Sequence, residues 1–198
     1  MGNCVGLSSL YWNVGWPKLP KILLADLKFV IHTVNFTATH WGVIIVQLHN
    51  FKKLKKLRVH VYMYEPLKND DYHEGMEEVW KGIFKDGGNK EREGLRNFLV
   101  RWHIAYTSDT ELSFDPIDWV EVPQQPGLSS CGVMVVAQLY NFVTGNFDRQ
   151  HCQVTKTAVK VMRLRMLWII MCYSQERSIS PDDTASVDKI QQQLLKQL

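Results

Sequence analysis

Residues 40–50, HWGVIIVQLHN, form an unbroken apolar run between polar residues. Residues 57–66, LRVHVYMYEP, alternate instead, with Val59, Val61 and Met63 on one face and His60, Tyr62 and Tyr64 on the other. Two antiparallel strands are predicted, joined through the lysine-rich NFKKLKKL, and Pro66 ends the second because it has no N–H for the ladder. Helical spacing follows over residues 70–103 in YHEGMEEVWKGIF and REGLRNFLVRWHI, two amphipathic helices separated by the KDGGNKE turn. DWVEVP reads as a short strand. CGVMVVAQLYNFVTG then reads as a helix from Cys131 that stops at Gly145, with Val133, Val136, Leu139, Tyr140 and Val143 as its buried face and Ser129 or Ser130 as its cap. Residues 155–173 predict another long helix, and SISPDD opens a detached C-terminal one. KILLADLKFVIHTVNF suits helix or strand equally. Residues 1–20 show no period and are expected to be unstructured. The opening MGNCVGLSS has Gly6 where N-terminal acylation requires Ser or Thr.

Composition narrows this picture. With 198 residues, 45% apolar and 22% charged, the chain suits one core rather than two domains. A net charge of +3 is too small and too dispersed to predict a nucleic-acid partner. Cys4, Cys131, Cys152 and Cys172 form no C-x-x-C pair, so no metal site is predicted, and without a signal peptide the thiols are expected to be reduced. MLWIIMCY, the longest strongly apolar stretch, falls far short of the roughly 20 residues of a membrane span, so a soluble protein with no membrane partner is expected.

One cysteine stands apart. In QQPGLSSCGVMVV, Cys131 lies at the boundary between a polar turn and the predicted helix, whereas packed cysteines usually sit inside apolar runs. Unpaired N–H groups and aligned peptide dipoles at a helix N-terminus favour an anion, and the thiolate is the nucleophilic form of a thiol. Such a nucleophile needs a base and a group to orient that base. His40 opens the first strand and Glu65 closes its antiparallel neighbour, which returns the chain to the same end of the sheet. Gln125, on the turn before Cys131, is placed to offer its amide N–H to a carbonyl oxygen under attack, alongside the Cys131 N–H. The remaining histidines, His32, His49, His60, His73, His103 and His151, show no such pattern and are assigned no role. FKKLKKLR is read as a solvated hairpin turn.

HW, YEPL and QQPGLSSCGV, in that order and spacing, resemble the ubiquitin-like-protein (SUMO-type) cysteine proteases, the clan that also contains the adenovirus protease. The resemblance covers roughly residues 30 to 145. It implies an α+β, papain-like or adenovirus-protease-like fold: a central mixed sheet flanked by helices, with the nucleophile at a helix N-terminus. It further implies Cys131 as nucleophile, His40 as general base and later acid, Glu65 as orienting acid and Gln125 as oxyanion donor. Trp41 resembles the aromatic flanking the histidine, and with Gly127 would line the substrate site beside a small residue. Glu65 stands where SUMO proteases usually carry Asp, as it does in the adenovirus enzyme. Ser130 replaces the common Asp before the cysteine, and the Trp-Leu motif of the N-terminal portion is missing. The implied organisation is a poorly defined segment 1–20, a catalytic domain 21–177 and a tail helix 178–198. The implied activity is hydrolysis of a peptide or isopeptide bond without a cofactor, in the nucleus or cytoplasm. The partner is a protein substrate, with a ubiquitin-like modifier or its conjugate among the candidates. An acyltransferase of the same clan and a catalytically inactive binding module remain open alternatives.

Overall fold

The computed structural model describes residues 4–8, 18–36, 39–83, 92–107, 109–127, 129–145 and 154–176. The chain divides into two compact units, Met1–Lys156 and Thr157–Leu198. The last described helix, Lys156–Glu176, agrees with the spacing over 155–173. The detached helix expected after SISPDD and the KDGGNKE turn lie outside the described residues.

The first unit is α+β. Its five-stranded mixed sheet has the order β1-β2-β3-β4-β7, formed by Cys4–Ser8, Phe29–Phe36, His40–Phe51, Lys56–Tyr64 and Glu111–Val120. β2, β3 and β4 run antiparallel in turn, while β1 joins β2 and β7 joins β4 in parallel. A two-stranded ribbon of β5, Gly82–Ile83, and β6, Arg92–Glu93, stands beside them. β3 is the central strand, and that explains its unbroken apolar run: Val43, Ile44, Ile45 and Val46 are all fully buried because both faces are covered. Ile44, Val46 and Leu48 pack with Val59, Val61 and Met63 of β4 against Met76 and Trp80 of α1 (Asp70–Lys81) and Phe98, Leu99 and Trp102 of α2 (Leu95–Tyr106). Each such aliphatic side chain contributes roughly 1.5–3 kcal/mol on full burial. α3, Cys131–Thr144, packs on β3 and brings Phe142 against Tyr62, which projects from the opposite face of β4.

Four expectations change. Cys4–Ser8 is a strand paired in parallel with β2, not an unstructured segment, because the exposed edge of β2 offers a complete row of backbone partners. Residues 21–36 resolve into a 3-10 turn, Leu24–Asp26, followed by β2. β7 begins at Glu111, seven residues ahead of DWVEVP. Pro116 conceals it in the sequence and is tolerated because the register shifts beside it, between Val59 and Val61 of the partner strand, on an edge strand. The buried face of α3 is Cys131, Met134, Val135, Gln138 and Phe142, whereas Val136, Tyr140 and Val143 are exposed. The helix is apolar nearly all round, so periodicity alone does not select the face that meets the sheet.

Candidate active site

His40, the first residue of β3, and Glu65, the residue after β4, meet at one end of the sheet. His40 Nε2 hydrogen-bonds Glu65 Oε1, and both side chains are almost wholly shielded from water. A carboxylate only accepts, so Nε2 carries the proton and Nδ1, on the other edge of the ring, is left for a second partner. The turn after β4 holds the carboxylate in place: the Leu67 N–H donates to Oε1 at 2.7 Å and the Asn69 N–H to Oε2 at 2.9 Å. Burial by itself would raise the Glu65 carboxyl, but the hydrogen bonds from His40, Asn69 and Leu67 and the His40 charge outweigh it and hold the group below its ordinary value. Asn69 also caps α1, accepting from the N–H groups of Asp71 and Tyr72. One residue therefore ties the orientation of Glu65 to the start of a helix.

The helix supplies the ring that packs on the histidine. Tyr72 stacks on His40 with centroids 4.4 Å apart and an interplanar angle of 19°, and Phe36 of β2 packs on Tyr72 at 4.9 Å. Trp41, expected to flank His40, follows it in the strand and so projects from the opposite face of the sheet, half-buried. Gly42 admits this packing, since a Cβ there would lie 2.9 Å from Met76 Sδ and 3.3 Å from Phe36 Cε2. Neither Tyr72 nor Gly42 was singled out from the sequence. The N-cap signal Asn69-Asp70-Asp71 was available to place α1, but not the aim of its side chains.

Cys131 is the first residue of α3 and is 5% exposed. Its thiol donates to the carbonyl of Thr39, 3.7 Å away, the residue directly before His40. The sheet and α3 thus bring the sulfur to the start of the strand that carries the imidazole. Ser130 occupies the cap position without a side-chain bond, correcting one of the two expected caps. Its carbonyl still accepts from Met134 N–H at 3.0 Å.

The loop between β7 and α3 is clasped to the turn after β4. The Tyr64 hydroxyl donates to the Pro123 carbonyl at 2.6 Å, the Gln125 N–H donates to the Pro66 carbonyl at 2.9 Å, and Lys68 pairs with Glu121 at 2.8 Å. Burial first, and then the Glu65 charge, push the Tyr64 hydroxyl up, so it remains a donor. The Gln125 amide differs from all of these groups: both its nitrogen and its oxygen are buried without a partner. Gly127 has room, since a Cβ there would meet only Lys156 Cε, at 3.8 Å.

Among the described residues no three His, Cys, Asp or Glu side chains converge as metal ligands, and no helix is long and apolar enough to cross a membrane. No protein-family model matches the chain, and no curated protein matches it. Among solved structures it is similar to the SUMO protease Ulp1 with its catalytic cysteine oxidised to a sulfonic acid. That match has 14% identity and a TM-score of 0.44, over 72% of this chain and 52% of the other. The yeast C-terminal Ulp1 protease domain in complex with SMT3 is similar at 17% identity and a TM-score of 0.41, over the same shares. The Xanthomonas campestris effector XopD bound to ubiquitin is similar at 14% identity and a TM-score of 0.32, over 71% of this chain and 62% of that one. The chain spans about half the length of the Ulp1 chains, which are proteases of the SUMO type that its motifs resemble.

Proposed function

We propose that the first unit is a thiol hydrolase, a cysteine-type peptidase that cleaves a peptide or isopeptide bond after a small residue. The observation that supports it most is the meeting of a buried, hydrogen-bonded His40–Glu65 pair with a helix-start thiol at the carbonyl preceding that histidine. In this reading the S–H turns from Thr39 to His40 Nδ1 and passes its proton there. The Cys131 thiolate then attacks the scissile carbonyl carbon, and the carbonyl π pair moves onto oxygen. The Gln125 amide, buried and unpartnered, and the Cys131 N–H, which has no acceptor within its own helix, stabilise that oxyanion. As the C–N bond breaks, the amine leaves with the proton from His40 and a thioester remains on Cys131. His40 next takes a proton from water, hydroxide adds to the thioester, and the thiolate leaves with the carboxylic product formed. Glu65 holds the Nε2–H tautomer and stabilises the imidazolium at each proton transfer.

The substrate in this reading is a protein, with the C-terminal tail of a ubiquitin-like modifier as the first class to test. Incubation with modifier C-terminal probes that carry an electrophile, followed by intact mass, is expected to give a covalent adduct on Cys131. Cys131→Ser, which barely changes volume, is expected to give none. Failure of every modifier and peptide probe to add to folded protein, with an acetyl donor acylating Cys131 instead, would turn the assignment to an acyltransferase. Failure of both would leave a non-enzymatic module.

A further inference from the structure

The Glu65 carboxylate faces a second imidazole. His73, on the first turns of α1, places Nε2 4.0 Å from Glu65 Oε2, while Oε1 is bonded to His40. Its ring is fixed by stacking on Trp119 of β7, with centroids 4.0 Å apart and an interplanar angle of 21°. About a quarter of the His73 side chain is open to solvent, whereas the Glu65 side chain is closed off. Protons therefore reach His73 directly, and any charge it gains is felt by a carboxylate that water does not screen.

We infer that His73 is a positioning residue for the triad: in its neutral form it leaves the Glu65 charge to His40, and as a cation it competes for that charge. The inference rests on the thiol-hydrolase reading. Imidazole is the common side chain that changes charge between about pH 5 and 8. Two imidazolium ions sharing one carboxylate are less favourable than one, so protonated His73 disfavours the His40 imidazolium and hence the imidazolium–thiolate pair. Glu121, which follows β7 and is paired with Lys68 of the turn, also interacts with His73, whose own helix carries Asp70, Asp71, Glu74, Glu77, Glu78 and Lys81. Glu65 lies against both imidazoles and so connects the His73 ring to His40.

The test is the rate of iodoacetamide alkylation at Cys131 against pH, read by peptide mass, for wild type, His73→Gln, His73→Lys and His40→Ala. His73→Gln keeps a polar side chain that does not titrate. It is expected to match wild type above neutrality and to keep its rate to lower pH, with a shallower acid limb. His73→Lys carries a cation throughout and is expected to lower the rate several-fold above neutrality and to converge on wild type at low pH. Superimposable profiles for wild type, Gln and Lys would overturn the inference. Equal losses in Gln and Lys with an unchanged limb would also overturn it, because His73 would then be only a structural brace. The hydrolase reading fails separately, by His40→Ala leaving the alkylation profile unchanged.

Discussion

The two halves of the candidate site are built on different terms. On the side of β3, β4 and α1, every polar group of Glu65 is engaged: Oε1 by His40 and Leu67, Oε2 by Asn69, with the His40 ring stacked on Tyr72. On the side of the β7–α3 loop, the backbone is anchored through Pro123 and Gln125, but the Gln125 amide is buried with nothing to bond. An unsatisfied buried amide costs on the order of 1–3 kcal/mol, and the Gln138 amide of α3 is left without a partner in the same way. In the proposed reading, the difference separates a base assembled in advance from an oxyanion site completed by the substrate.

The comparison is tested most severely by His40→Ala. Loss of the base and of the imidazolium is expected to lower kcat/KM by roughly 10⁴-fold, the upper end of general acid–base effects, with the fold retained by circular dichroism. A fall below tenfold would show that the assembled half is structural. Gln125→Ala is expected next, at about 10²- to 10³-fold in kcat with KM little changed, as for loss of one oxyanion donor. A rise in KM alone would make Gln125 a substrate-positioning residue and remove the contrast between the halves.

Glu65→Gln keeps length and an acceptor but removes the charge. A fall of roughly 10- to 100-fold is expected, equivalent to one charge-assisted hydrogen bond. Its stability signature is separate. The Glu65 carboxyl sits below its ordinary value of 4.5, so its contribution to stability is present above that value and is lost as pH falls through the lower, folded-state value. The Tm difference between wild type and Glu65→Gln should therefore be constant near neutrality and shrink below about pH 4.5. A difference independent of pH would place the effect in packing. The smallest effect is expected for Tyr64→Phe, which leaves the Pro123 carbonyl without its donor: about 1 kcal/mol of stability by urea titration and a few-fold in kcat. No change in either would show that the clasp does not position the loop.

Much of this arrangement is legible along the chain, for identifiable reasons. β3 and β4 declare themselves because a central strand must be apolar throughout and its neighbour must alternate, and their pairing returns Glu65 to His40. Cys131 stands out because it sits where a loop becomes a helix. The buried face of α3 is not legible, since Val136 and Tyr140 are as apolar as Met134 and Val135, and only the sheet decides between them. Tyr72 and His73 are equally hidden. Their role depends on how α1 crosses the strand ends, and spacing along a helix carries no record of what it crosses. Trp41 is the opposite case, since alternation along a strand already places it on the face opposite His40.

The central claim is that the helix start and the His40–Glu65 pair, not burial, make Cys131 a nucleophile rather than a packed thiol, and the molecule carries its own reference. Cys131 is buried and Cys172 is exposed, and both are free thiols. The measurement is the ratio of labelling rates at these two cysteines by a small neutral electrophile at pH 7, in folded protein, by peptide mapping. Accessibility alone would make Cys172 react first. The account predicts that Cys131 reacts faster than Cys172, and that the order reverses in His40→Ala. Labelling confined to Cys172 in the folded wild type, with Cys131 reacting only after denaturation, would contradict it.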